Sequence, residues 1–149
     1  MHRGNLVNLL LIGGDEIDRL EVATRFHHES RLGRGPLISA RAPEDSPRLG
    51  RAILRALHRG IPRPDDVLHA SEGGTLFLDR LDLLGRDEQR LLLEFLTRGR
   101  ADYSPEYGWA GRLAAGSACD LETLCAEGRF LPALLDALDK IRIDLRIVC

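Results

Sequence analysis

The chain has 149 residues, 44% apolar and 30% charged, with a formal charge of −2. That length supports one domain burying roughly 68% of its unfolded surface, and the composition excludes a disordered chain. The charge balance excludes a basic nucleic-acid-binding tail or an acidic tail as the dominant feature, and no apolar run is long enough to span a bilayer.

Asn5–Ile12 is a short apolar run closed by Gly13-Gly14, which predicts a buried parallel strand. From Ile17 to His28, the residues Ile17, Leu20, Val22, Ala23 and Phe26 fall mostly at helical spacing and predict an amphipathic helix. Pro36–Ala40 is a second strand candidate. Pro43 to Pro47 starts a helix whose stripe is Leu49, Ile53, Leu54 and Leu57, ending by Gly60, and Ile61-Pro62-Arg63-Pro64 is a loop. Gly74–Asp79 is the clearest buried strand, apolar and then abruptly acidic. Arg86–Leu96 is a strong helix, Tyr103–Gly111 a hairpin-like loop, and Arg112–Ala115 a weak strand. Asp120 caps a short helix through Glu127, a second runs from about Leu131 to Leu138, and Ile141–Val148 alternates as a final strand.

Strands alternating with helices predict an α/β fold with a mostly parallel sheet. Ligands in such sheets sit at the C-terminal strand edge, so the turn after Ile12 and the acid Asp79 mark the expected site. No repeat or long linker divides the chain, and one domain over 1–149 is expected. Cys119, Cys125 and Cys149 lack metal-ligand spacing, and free thiols in a reducing cytoplasm are expected. Met1-His2-Arg3-Gly4 does not open a signal peptide, again implying the cytoplasm. Lys140 is the single lysine among 21 basic residues, a bias that fits a GC-rich genome better than a function.

Gly73–Asp79 resembles the Walker B segment of the AAA+ central domain of sigma-54-dependent transcriptional activators, the bacterial enhancer-binding proteins. Gln89, Leu91-Leu92 and Leu96 match the stretch after it, and Asp120-Leu121-Glu122 with Ala126–Phe130 resembles the family's segment after sensor I. Val22-Ala23, His27 and Ser30 fit the helix after the P-loop. The resemblance runs in family order from about Leu9 to Leu145. It implies a P-loop NTPase-like three-layer sandwich with a mostly parallel five-stranded sheet. With the chain stopping at Cys149, it also implies that the helical lid, its sensor II arginine and a helix-turn-helix are lacking.

The departures from the family concentrate on the chemistry. A P-loop cradles phosphate with backbone N–H groups and a lysine. Here the aligned run is Gly13-Gly14-Asp15-Glu16-Ile17-Asp18-Arg19-Leu20, which keeps the first glycine but sets Asp18 at the last glycine and Arg19 at the lysine. Asp15, Glu16 and Asp18 set like charge beside a triphosphate, where charges ~4 Å apart repel by about 4 kcal/mol at an effective dielectric near 20. The simpler expectation is that these acids cap the following helix. Asp79 stands at the Walker B aspartate, where the family helps hold Mg²⁺, but Arg80 replaces the glutamate and cannot act as a general base. Asp79 is expected to pair with an arginine instead. Ala118 falls at the sensor I asparagine and Leu131 and Ala137 at the arginine fingers. The GAFTGA loop that grips sigma-54 has no counterpart, its region holding the helix Arg48–Arg59.

The favoured expectation is a non-catalytic regulatory or protein-interaction domain in transcription control, with no catalytic residue and no bound metal. Gly13, Gly14, Arg19 and Asp79 are its vestigial nucleotide positions. Its expected partner is a protein with an intact or related AAA+ domain, or a second copy, with no membrane contact. The alternatives are a sensor that binds ATP or ADP, with Mg²⁺, without hydrolysis, and a scaffold or gene remnant with no partner. Arg48, Arg51, Arg55, Arg59 and Arg63 recur at helical spacing, yet such a run is usually a solvated face, so direct DNA binding is disfavoured. Tyr103, Tyr107 and Trp109 form a contact patch or a local hydrophobic cluster.

Overall fold

The computed structural model describes residues 8–58, 66–99, 109 and 111–145. In chain order the strands are β1 (Leu9–Ile12), β2 (Leu37–Arg41), β3 (Thr75–Asp79), β4 (Arg112–Ser117) and β5 (Ile141–Asp144). The helices are α1 (Glu16–Glu29), α2 (Ser46–Leu57), α3 (Val67–Ala70), α4 (Arg86–Glu94), α5 (Leu121–Ala126) and α6 (Pro132–Leu138). A 3₁₀ turn covers Leu81–Leu83, and a π-helical turn, Phe95–Gly99, follows α4. All strand pairs are parallel, in the order β2-β3-β4-β1-β5.

The sheet is covered on both faces because alternate residues of each strand point to opposite sides. Leu10, Ile12, Leu76, Leu78, Leu113 and Ala115 pack into the larger core with the buried stripes of α2, α4, α5 and α6. Leu9, Leu11, Phe77 and Ala114 face the other way, against Ala23, Val22 and Phe26 of α1. The whole of β1 is removed from water. At roughly 1.5–3 kcal/mol for each large apolar side chain, its four residues anchor the centre of the sheet.

The expected five-stranded, mostly parallel sheet is therefore present, and its layers are α1, sheet and the remaining helices. β4, read as weak, is instead buried along its whole length and continues to Ser117. Its small residues suit a strand flanked by neighbours on both sides and covered on both faces. The short helix α3, capped by Asp66, was not anticipated. Of the hairpin-like loop, only Trp109 and Gly111 lie among the described residues. Trp109 packs its ring 5.8 Å from that of Phe95, within the larger core. The Ile61–Pro64 loop, Tyr103, Tyr107 and the end of the last expected strand lie outside the described residues.

Candidate functional site

β1 lies inside the sheet while the strand that follows it in sequence, β2, lies at the far edge, which places the usual ligand position of such sheets beyond the carboxyl ends of β1, β3 and β4. Gly13 and Gly14 turn the chain there with φ of 89° and 65°, the left-handed region open to glycine. The Gly13 N–H donates to the Ser117 carbonyl at the end of β4 (2.8 Å). Asp15 then caps α1: its carboxylate accepts from the Asp18 N–H at 2.8 Å, and the Asp18 carboxylate accepts from the Asp15 N–H at 3.1 Å. The expected cap is present, in the reciprocal arrangement of a capping box.

One turn into α1, Arg19 points back under the glycine turn. Its Nε donates to Asp79 Oδ1 at 2.7 Å and its Nη2 to Asp79 Oδ2 at 3.3 Å. Its Nη1 donates to the carbonyls of Gly13 and Gly14 at 3.0 and 2.8 Å. The side chains of Arg19 and Asp79 are 1% and 6% exposed, so the pair is sealed from water. Gly116 of β4 makes room for it, since a Cβ there would stand 2.4 Å from Asp79 Oδ1. The four residues singled out from the sequence thus form one cluster, bonded to each other.

Arg80, which follows β3 in a left-handed conformation (φ 59°), turns toward Asp82 at 3.2 Å and Glu16 at 3.9 Å. Glu16, at the start of α1, also pairs with Arg41 at the end of β2, which reaches Glu44 as well. Asp82 was not among the residues singled out, yet it is the hub between the ends of β3 and β4. It accepts from the Ala118 N–H at 3.1 Å, from Ser117 Oγ at 3.4 Å and from Arg80. Its one sequence signal is an acid two positions after an arginine that has replaced an acid.

Burial pushes the Asp82 carboxyl up, but the Arg80 hydrogen bond, the Ala118 N–H and the Arg80 charge outweigh it, leaving the pKa below the ordinary value. A carboxylate depressed in the folded state adds stability above its unfolded pKa of about 3.9 and loses it as pH falls through the folded value. Asp82→Asn is therefore expected to cost about 1–3 kcal/mol at pH 7. Urea unfolding of both proteins should show that difference shrinking below pH ~4, whereas a cost independent of pH would contradict this role.

Ala118, at the sensor position, contributes only its backbone N–H. The Leu131 N–H donates to Gln89 Oε1 at 2.9 Å, and Ala137 offers its carbonyl to Asn8 at 3.3 Å, both roles in chain packing. Of the arginine run, Arg48 pairs with Asp45, and Arg55 pairs with the buried Asp66, each at 3.1 Å; Arg59 and Arg63 lie outside the described residues. Acids answer two of its members, which removes much of its pull on phosphate. Cys119 and Cys125 are free thiols, and Cys149 lies outside the described residues. Among the described residues no group of His, Cys, Asp or Glu is arranged to hold a metal, and no helix is long and apolar enough to cross a membrane.

A magnesium triphosphate needs open N–H donors at the glycine turn, a mobile cation beside them and a free carboxylate. Here the Asp15 N–H is taken by Asp18, the guanidinium is spent on Asp79 and two carbonyls, and both Asp79 oxygens are occupied. The residues present do not fit that ligand.

No family model matches the chain. The chain is 27% identical over 146 residues to the PTS-dependent dihydroxyacetone kinase operon regulatory protein of Escherichia coli (strain K12); the match covers 92% of this chain and 22% of that protein. It therefore spans about a fifth of that curated relative. Among solved structures, NtrX from Brucella abortus in complex with ATP superposes with a TM-score of 0.74 at 21% identity, covering 93% of this chain and 33% of NtrX. The P-loop NTPase domain of the sigma-54 transport activator from E. coli gives 0.63 at 19% identity, covering 92% of this chain and 82% of that domain. The fold is that of these solved structures, and the expected likeness to the P-loop NTPase domain of a sigma-54 activator is borne out at the level of the fold.

Proposed function

We propose that this chain is a non-catalytic module of the sigma-54-activator type, acting in the cytoplasm through protein contact in transcription control. The observation that carries the reading is the buried Arg19–Asp79 pair, which ties the glycine turn to the acidic end of β3 inside the protein itself. NtrX, of the same fold, has been solved with ATP and with ADP. In this chain an internal guanidinium makes the contacts that a bound cation and phosphate group would need. Arg80 stays protonated at any physiological pH, so the residue that follows Asp79 cannot serve as the base that activates water. What persists is the scaffold and its surface. The partner is a protein carrying an intact or related AAA+ domain, which this module would cap or hold.

The test is phosphate release and thermal unfolding of the purified chain with millimolar Mg-ATP. We expect no release above a heat-killed control and no rise in Tm. Release abolished by Asp79→Asn would overturn the reading. A rise in Tm without release would favour the nucleotide sensor, because a ligand selective for the folded state stabilises it.

A further inference from the structure

Ile17, Leu20, Val22, Ala23 and Phe26 share helical spacing, yet α1 does not bury them together. The stripe it turns to the sheet is Arg19, Ala23 and His27, four residues apart, with Val22 and Phe26 beside it. Ile17 and Leu20 fall on the outer side, 76% and 43% exposed. The reason is Arg19, whose bonds to Asp79 and the two glycine carbonyls fix the rotation of the helix. Turning α1 to bury Ile17 would pull that side chain out of its site.

Ile17, Leu20, Thr24 and His28 line a shallow groove of about 520 Å³ on this outer side, with Glu21 and Arg25 along it. The Thr24 hydroxyl donates back to the Leu20 carbonyl at 2.7 Å, so its methyl group is the part left unengaged. Glu21 and Arg25 are exposed and one turn apart, and neither makes an ion pair among the described residues. An acid toward the start of the face and a base toward its end make it complementary to its own reverse.

We propose that this face is the contact between two copies of the chain, packed antiparallel across a twofold axis between residues 22 and 23 of each α1. At ~1.5 Å rise per residue, Arg25 stands about 4 Å to one side of that axis and Glu21 about 2 Å to the other. Reversing the mate brings Glu21 of one copy level with Arg25 of the other to within about 2 Å, twice per dimer. On the opposite flank, Leu20 of each copy meets Thr24 of the other, and Ile17 meets His28. A parallel pair would set Arg25 beside Arg25 and align the two helix dipoles. One helix face lies at the small end of specific interfaces, below about 1,200 Å² in total, so the dimer is weak and reversible. It uses no residue of the Arg19–Asp79 cluster, and so stands or falls separately from the nucleotide reading.

Sedimentation equilibrium of the full chain from about 10 µM to about 1 mM tests this. The average mass is expected to rise with concentration from 16.6 kDa toward twice that value. Arg25→Glu and Glu21→Arg are each expected to weaken the dimer about tenfold, because each turns two attractions into two repulsions. The double variant Glu21→Arg with Arg25→Glu exchanges the charges, restores both pairings and should recover the association. Leu20→Ser, also at an exposed position, is expected to weaken the dimer and covers the case in which a reversed charge unsettles α1. A mass that stays at one chain throughout overturns the proposal. So does a dimer that ignores the single variants, or a double variant that fails to recover it.

Discussion

Arg19→Ala is expected to destabilise the protein by about 3–5 kcal/mol, because it strands the Asp79 carboxylate in a buried site without its counter-charge. The carbonyls of Gly13 and Gly14 lose their Nη1 donor in the same step. For a domain of this size the loss corresponds to a fall in Tm of about 10 °C. The double variant Arg19→Met with Asp79→Leu separates the pair from its surroundings. Replacing both charges by apolar groups of similar bulk removes the desolvation cost together with the attraction, so it should cost far less than Arg19→Ala alone. A double-mutant cycle by urea unfolding measures the coupling. A loss below ~1 kcal/mol for Arg19→Ala would mean that Asp79 finds another partner or water.

The second large effect runs in the opposite direction. The triple variant Asp18→Gly, Arg19→Lys and Arg80→Glu should bind Mg-ATP more tightly than the unaltered chain. Glycine at position 18 removes the carboxylate that holds the Asp15 N–H. Lysine at 19 lacks the planar fork that grips Asp79 and both glycine carbonyls at once. Glutamate at 80 supplies a carboxylate after β3. At about 100 times its dissociation constant the nucleotide would then stabilise the variant by ~2.7 kcal/mol, raising Tm by roughly 5–10 °C. Turnover is not expected, because Ala118, Leu131 and Ala137 offer no side chain able to stabilise transition-state charge. A cooperatively folded triple variant whose Tm ignores nucleotide would show that Asp15 and Glu16, which it retains, are enough to exclude phosphate.

How far the elements could be read depended on how large a signal each carried. β1 and β3 are runs of large apolar residues ended by glycine or acid, and α1 carries its own start signal in Asp15 and Asp18. β4 gave little warning because Ala114, Ala115 and Gly116 are small. That smallness is itself a packing requirement, since at Gly116 even a methyl group would meet Asp79. α3 is four residues long, too short for a periodic pattern, and only its Asp66 cap marks it.

Residue identity alone determined that a lysine and a glutamate are missing, that acids crowd the glycine turn, and that Arg80 cannot accept a proton. These are properties of single side chains and need no coordinates. Only the tertiary structure decided that Asp79 takes Arg19, 60 positions away, rather than the adjacent Arg80, which turns to Asp82 instead. The reason is geometric. A parallel sheet with β4 between β1 and β3 brings the start of α1 over the end of β3, and the left-handed backbone at residue 80 carries its side chain off toward Asp82. Which charge meets which is set by strand order and local backbone hand, and neither is written in spacing along the chain.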